Sequence, residues 1–262
     1  MFDYHIHSRV SFDSKEEAIN IIEAARAKGL SEICFTDHYD FRYEKDQKHD
    51  LFTKEAYDLE YGNLSSAVGL TLKRGVEFGL TLWNAPELRA LTREYDFDFV
   101  LGSVHYVDGY DPYVNEYWYG KTWEHAYLRY LEHTLECVQN HTDFDVLGHI
   151  NYVCKSPNNP TRSPLFYKDY SEICDEIMRE LVKRGKGMEI NTSGVDRVGE
   201  FLPNAEFLKR FRELGGEIVT VGSDAHTKER VGQYTDEALA ILRDIFGYVC
   251  TFDKRTPIFH KL

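Results

Sequence analysis

Six histidines are spaced as a shared metal site would require. His5 and His7 end a short apolar run as His-x-His, and residues two apart on a strand project to one face and can reach one ion. His38 follows Cys34-Phe35-Thr36-Asp37, His105 follows Gly102-Ser103-Val104, His149 follows Leu147-Gly148, and His226 follows Ser223-Asp224-Ala225. Glu77 closes the run containing Gly75-Val76. The candidate ligands are His5, His7, Asp13, His38, Glu77, His105, His149, Asp224 and His226. Imidazole and carboxylate donors together suit zinc, manganese or iron. The five cysteines form no Cys-x-x-Cys pair and read as reduced, mostly buried thiols.

So many ligands exceed one tetrahedral ion that keeps an open position, and they suffice for two or three ions bridged by a carboxylate. Charge favours three divalent ions. Their positive charge, reduced by three carboxylates, is neutralised by a phosphate dianion and a bridging hydroxide. Such a cluster suits phosphate monoesters: it binds the non-bridging oxygens, lowers the pKa of bound water and orients an in-line attack. One histidine after a strand is more often a packed side chain than a ligand. Six in matching positions, beside three carboxylates, leave little room for independent structural explanations. His49, His125, His133, His141 and His260 fall in expected helices, loops or the tail and are given no role.

Short apolar runs at 2–6, 31–36, 71–77, 97–103, 144–148, 187–190 and 218–222 read as strands. Amphipathic segments near 15–28, 55–68, 85–93, 123–140, 167–184, 204–213 and 229–244 read as helices between them. Ser14 and Glu17 suggest a capping box for the first helix, and Gly29 its end. This alternation predicts a parallel α/β barrel in a single domain over residues 1–262, with the histidines at the C-terminal ends of the strands, where barrels build active sites. Two long loops are expected, 106–122 with five tyrosines and 152–166 with three prolines.

Composition narrows the partners. Acidic residues outnumber basic ones 44 to 31, a formal charge of -13. That balance disfavours attraction to a phosphate backbone, so a small molecule rather than nucleic acid is expected. No run approaches the roughly 20 apolar residues of a membrane span. The N-terminal segment lacks a basic stretch followed by an apolar one, so a cytoplasmic location is expected.

The segments Asp3-Tyr4-His5-Ile6-His7-Ser8, Phe35-Thr36-Asp37-His38, Gly75-Val76-Glu77, Leu101-Gly102-Ser103-Val104-His105, Leu147-Gly148-His149 and Gly222-Ser223-Asp224-Ala225-His226 together resemble the PHP (polymerase and histidinol phosphatase) family. The runs 102–109 and 144–149 are most similar to its stand-alone histidinol phosphatases. The resemblance implies a distorted (β/α)7 TIM-like barrel with a trinuclear site. It assigns His5, His7, Glu77 and Asp224 to one ion, Glu77, His105 and His149 to a second, and Asp13, His38 and His226 to a third. It further implies hydrolysis of L-histidinol phosphate by a metal-bridging hydroxide, with Asp224, Glu77 and His38 carrying the reaction. Asn151 departs from the family, where an aspartate often stands two residues after the histidine of Gly148-His149.

For the substrate, Arg162 and Arg197 are the expected phosphate contacts, because a planar guanidinium holds two oxygens at once. Arg9 and Lys155 are alternatives. The tyrosines of 106–122 are candidates to cover the imidazole, and Glu116 to meet the ammonium. Two rival readings are a phosphoesterase acting on another small ester such as a nucleotide, and a non-catalytic, metal-stabilised module. Loss of ligands would mark the latter, and all nine positions carry competent side chains.

Overall fold

The computed structural model describes residues 1–41, 50–64 and 69–262. In chain order the elements are β1 (Phe2–Ile6), α1 (Ala18–Ala27), β2 (Glu32–Phe35), β3 (His38–Tyr39), α2 (Lys54–Tyr61), β4 (Thr71–Gly79), α3 (Ala85–Glu94), β5 (Phe99–Ser103), α4 (Asn115–Trp118), α5 (Trp123–Asn140), β6 (Val146–Leu147), α6 (Ser171–Lys183), β7 (Gly187–Asn191), α7 (Val195–Val198), α8 (Ala205–Glu213), β8 (Val219–Gly222), α9 (Thr235–Ile245), β9 (Tyr248–Asp253) and β10 (Thr256–Lys261). Single 3-10 turns lie at Tyr152–Lys155 and Tyr167–Asp169.

Seven strands hydrogen-bond in the order β1-β2-β4-β5-β6-β7-β8, all parallel, with β3 pairing β4. The ring nearly closes between its first and last strands. Asp224 N–H donates to the His5 carbonyl at 2.8 Å and His7 N–H to the Ala225 carbonyl at 2.9 Å, so the motifs at 5–7 and 224–226 meet edge to edge. The expected (β/α)7 barrel is the observed architecture. Helices bury one stripe each against it: α6, for example, places Cys174, Ile177, Met178 and Leu181 inward at helical spacing. Among the described residues no helix is long and apolar enough to cross a membrane.

Local differences from the expected elements have physical causes. Ser14 does not head a capping box; its hydroxyl reaches the His226 carbonyl at 3.0 Å. Helix α1 instead begins at Ala18, whose N–H donates to Glu60 Oε1 of α2 at 2.6 Å, a cap supplied from a distant element. Gly29, at φ +72°, ends the helix as expected. The helix expected from 229 begins only at Thr235. Lys28 holds the carbonyls of Glu229 and Val231, and Asp3 holds the Gly232 N–H at 2.8 Å, so 227–234 is a pinned turn. Of the helix expected at 55–68, the last residues lie outside the described ones, as does His49. The β9–β10 hairpin was not anticipated. Its Phe252 packs with Tyr4, Cys34, Phe99, Leu101 and Val146 in a cluster separate from the main core.

Candidate metal centre

The barrel strands and their C-terminal ends carry eight of the nine expected ligands to one place, and the loop between β1 and α1 brings Asp13 to them. Register puts Glu77 of β4 beside His38 of β3, and β1 and β8 deliver His5, His7, Asp224 and His226 from the closing seam. His105 and His149 follow β5 and β6. All except Asp13 and His226 are buried. Gly222 makes the seam possible, since a Cβ there would lie 2.3 Å from both His5 Cβ and Glu189 Oε1. Asp224 itself sits at φ +55°, a left-handed conformation that costs a non-glycine residue free energy and turns its carboxylate toward the cluster.

The donor atoms are grouped as an ion would group them. His5 Nε2 lies 3.1 Å from Glu77 Oε2 and 3.6 Å from Asp224 Oδ1, while His7 Nε2 lies 3.5 and 3.4 Å from the same two oxygens. Ligands about 2.0–2.1 Å from a tetrahedral zinc stand roughly 3.3–3.4 Å apart, so these four fit one ion. Glu77 Oε1 lies 3.2 Å from His105 Nε2 and 2.9 Å from His149 Nε2. Asp13 Oδ2 lies 3.6 Å from His38 Nε2 and 3.1 Å from His226 Nε2.

A further observation separates a metal site from an ion-pair network. Among the described residues, His5 Nε2, His7 Nε2 and His38 Nδ1, and the Glu77 Oε2 that all three face, are buried without a hydrogen-bond partner of acceptable geometry. Leaving such groups unsatisfied costs about 1–3 kcal/mol each, so their concentration in one place calls for a ligand. Divalent cations fit that donor set.

Electrostatics divide the imidazoles into two groups. Burial alone would raise the Glu77 pKa, but His5, His105 and His38 outweigh it and hold the carboxyl well below its usual range. Burial, reinforced by His226 and His38, pushes His7 well below the ordinary imidazole value, leaving it neutral as a ligand must be. Burial would also lower His38, yet Glu77, Asp40 and Asp13 lift it to about 9, and carboxylates raise His5 and His105 likewise, so an ion binding at these three rings displaces their protons.

A supporting layer escaped the sequence. Glu189 of β7, 1% exposed, holds His5 Nδ1 through Oε1 at 2.7 Å and accepts the His149 N–H on Oε2 at 2.9 Å. Both oxygens of Asp40 approach His105 Nδ1, at 3.0 and 3.2 Å. Against the cost of burial, His105 and His38 bring Asp40 down to about 2. Ser11 Oγ meets His7 Nδ1 at 3.0 Å. Such partners fix ring orientation and tautomer. The only signals for them in the sequence were a glutamate within a strand and an aspartate two residues after His38.

Beside the cluster opens a cavity of about 500 Å³, lined on its polar side by Asp13, Asp111, Lys155, Arg197, Asp224 and Arg230. Arg197, on α7, is where a phosphate contact was expected. Arg162 and Glu116 are not among the lining residues. Arg162 is exposed at φ +51° in a turn organised by Asn159, whose Oδ1 accepts the Thr161 N–H. Glu116 is exposed on α4, whose buried residue is Tyr117. Lys155, an alternative phosphate contact, is turned to Asp224 Oδ2 at 2.5 Å and Ser193 Oγ at 3.0 Å. Arg9 is tied to Glu17 and Glu60 and does not line the cavity. Asn151 is buried, with an unpartnered Oδ1.

The chain belongs to the PHP domain family, whose model matches residues 3–193. It is 34% identical to the histidinol-phosphatase of Lactococcus lactis subsp. lactis, over 87% of this chain and 85% of that protein. It is 30% identical to a probable histidinol-phosphatase of Clostridium acetobutylicum, over 97% and 98% of the two chains. The crystal structure of histidinol phosphate phosphatase from Lactococcus lactis, complexed with zinc, L-histidinol and phosphate, superimposes with a TM-score of 0.83 at 29% identity, covering 98% of each chain. A structure from Listeria monocytogenes, at a TM-score of 0.73 and 18% identity over 90% of this chain and 99% of that one, shares the fold.

Proposed function

We propose that this chain is a metal-dependent phosphoric monoester hydrolase that converts L-histidinol phosphate to L-histidinol and inorganic phosphate, a step of histidine biosynthesis. The observation that carries the reading is the convergence of buried, partnerless imidazole and carboxylate atoms on the floor of an open cavity. The names of the Lactococcus and Clostridium relatives, and the zinc, histidinol and phosphate bound by the Lactococcus structure, support the substrate.

His5, His7, Glu77 and Asp224 would hold one ion, Glu77, His105 and His149 a second, and Asp13, His38 and His226 a third. Zinc, manganese or iron bound there supplies Lewis acidity and an activated water. The chain's own groups do the positioning. Lys155 and Ser193 occupy Oδ2 of Asp224, which leaves Oδ1 facing His5 and His7 and lets Asp224 orient the attacking water. Glu77 keeps one oxygen toward each half of the cluster, and His38 spans from Glu77 to Asp13. Arg197 has no ion-pair partner among the described residues and is free to take phosphate oxygens as the ester docks.

The test strips the protein with a chelator, restores zinc, manganese or iron in turn, and follows phosphate release from L-histidinol phosphate, a nucleotide monophosphate and a phosphodiester. Metal-restored turnover that is highest on L-histidinol phosphate is expected. Turnover indifferent to chelation and restoration, or preference for the nucleotide, overturns the reading.

A further inference from the structure

Four carboxylates line the cavity: Asp13, Asp40, Asp111 and Asp224. Three have cationic or imidazole partners. Asp13 faces His38 and His226, Asp40 faces His38 and His105, and Asp224 faces Lys155, His5 and His7. Asp111 alone has no ion-pair partner among the described residues. The lining cations show the same pattern: Lys155 is paired with Asp224 and Arg230 with Asp196, whereas Arg197 is unpaired.

Asp111 is also held in place. Its Oδ1 accepts the Tyr113 N–H at 2.8 Å and the Tyr152 hydroxyl at 3.3 Å, while Oδ2 has no hydrogen bond among the described residues. The loop around it is clamped from the other side of the cavity mouth. The Pro112 carbonyl accepts Ser156 Oγ at 2.6 Å and Trp118 Nε1 at 2.8 Å, and the Tyr113 carbonyl accepts the Asn158 amide. Tyr113 and Tyr152 stack at 5.2 Å, and Tyr152 packs on His105 and His149. A half-buried carboxylate so braced, with one oxygen turned free, gains most from a cation that arrives with the substrate.

We infer that Asp111 binds the ammonium group of the substrate and is the residue by which the cavity selects amino-alcohol phosphates over plain alkyl phosphates. The inference rests on the proposed function and assigns to Asp111 the role the sequence suggested for Glu116. Its logic is charge matching: the ester carries a phosphate dianion and an ammonium, and the cavity offers one free guanidinium and one free carboxylate.

The experiment compares L-histidinol phosphate with the same ester bearing hydrogen in place of the amino group, on the metal-loaded wild type and on Asp111→Asn. The asparagine keeps the Oδ1 acceptor for Tyr113. Wild type should favour the amino ester in kcat/KM by about tenfold to a hundredfold, the range of a charge-assisted hydrogen bond. Asp111→Asn should lose most of that preference, mainly through KM, with the amine-free ester unchanged. Inhibition by L-histidinol should weaken alongside, while inhibition by the amine-free alcohol stays. Equal losses on both esters, or no preference in wild type, overturn the inference. Should Asp111→Asn fail to fold, Asp111→Glu, which keeps the charge and moves it by one methylene, should keep part of the preference, and a wild type without the preference still overturns the inference. Wild type that cleaves neither ester sinks the proposed function instead, a result distinct from cleaving both equally.

Discussion

The floor and the rim of the cavity are built on opposite plans. On the floor, His5, His7, His105 and His226 each give one ring nitrogen to a protein partner and aim the other at the cluster. Glu189, Asp40 and Asp224 among those partners sit on a strand, just past a strand end and at the seam that closes the barrel, while Ser11 lies in the loop after β1. On the rim, Arg197 is exposed and Asp111 lies in a loop, so their positions depend on turns. A barrel can therefore keep the geometry that reactivity demands while the rim sets which ester enters, because the rim's charges are left unneutralised for the substrate.

That contrast can be broken at graded cost. Glu77→Gln removes the charge that two ions would share, and phosphate release should fall on the order of 10³-fold with loss of bound metal by elemental analysis. Glu189→Gln never touches an ion in this scheme, yet by loosening His5 and His149 it should cost about 10- to 100-fold in metal affinity or activity. Metal titration of the stripped variant measures it, and an undiminished affinity would remove Glu189 from the support of the floor. Gly222→Ala forces a methyl group against His5 and Glu189, so the melting temperature should drop by the equivalent of about 1–3 kcal/mol, and metal content should drop with it. Smallest is the effect at the rim: Arg197→Ala should raise KM about tenfold and leave metal content and melting temperature unchanged, since its exposed side chain supports nothing beneath it. Metal loss from that variant would erase the distinction between floor and rim.

Much of this floor was readable from residue order. His5-x-His7 signals a shared face because strand side chains repeat every two residues. Its repetition by His38, His105, His149 and His226 after apolar runs marks one end of a barrel. The single-domain (β/α)7 barrel, the seven barrel strands and the nine clustered side chains follow from local periodicity and could be named without coordinates. The hairpin at 248–261 could not. Its turn uses Lys254 and Arg255 at φ +45° and +66° rather than glycine or asparagine, so no turn residue announced it.

What only the tertiary structure decided concerns partnership. Glu189 and Asp111 are ordinary acidic residues in sequence, and nothing within a few positions of them tells which will be buried against an imidazole and which left free, whereas Asp40 offers only its place two residues after His38. Arg162 and Arg197 look alike for the same reason, yet one lies in an exposed turn and the other on the cavity wall. Whether a charge is neutralised depends on groups tens or hundreds of residues away. The chain's local pattern thus determines where the ligands stand along the strands, and folding alone determines which charges remain for a substrate.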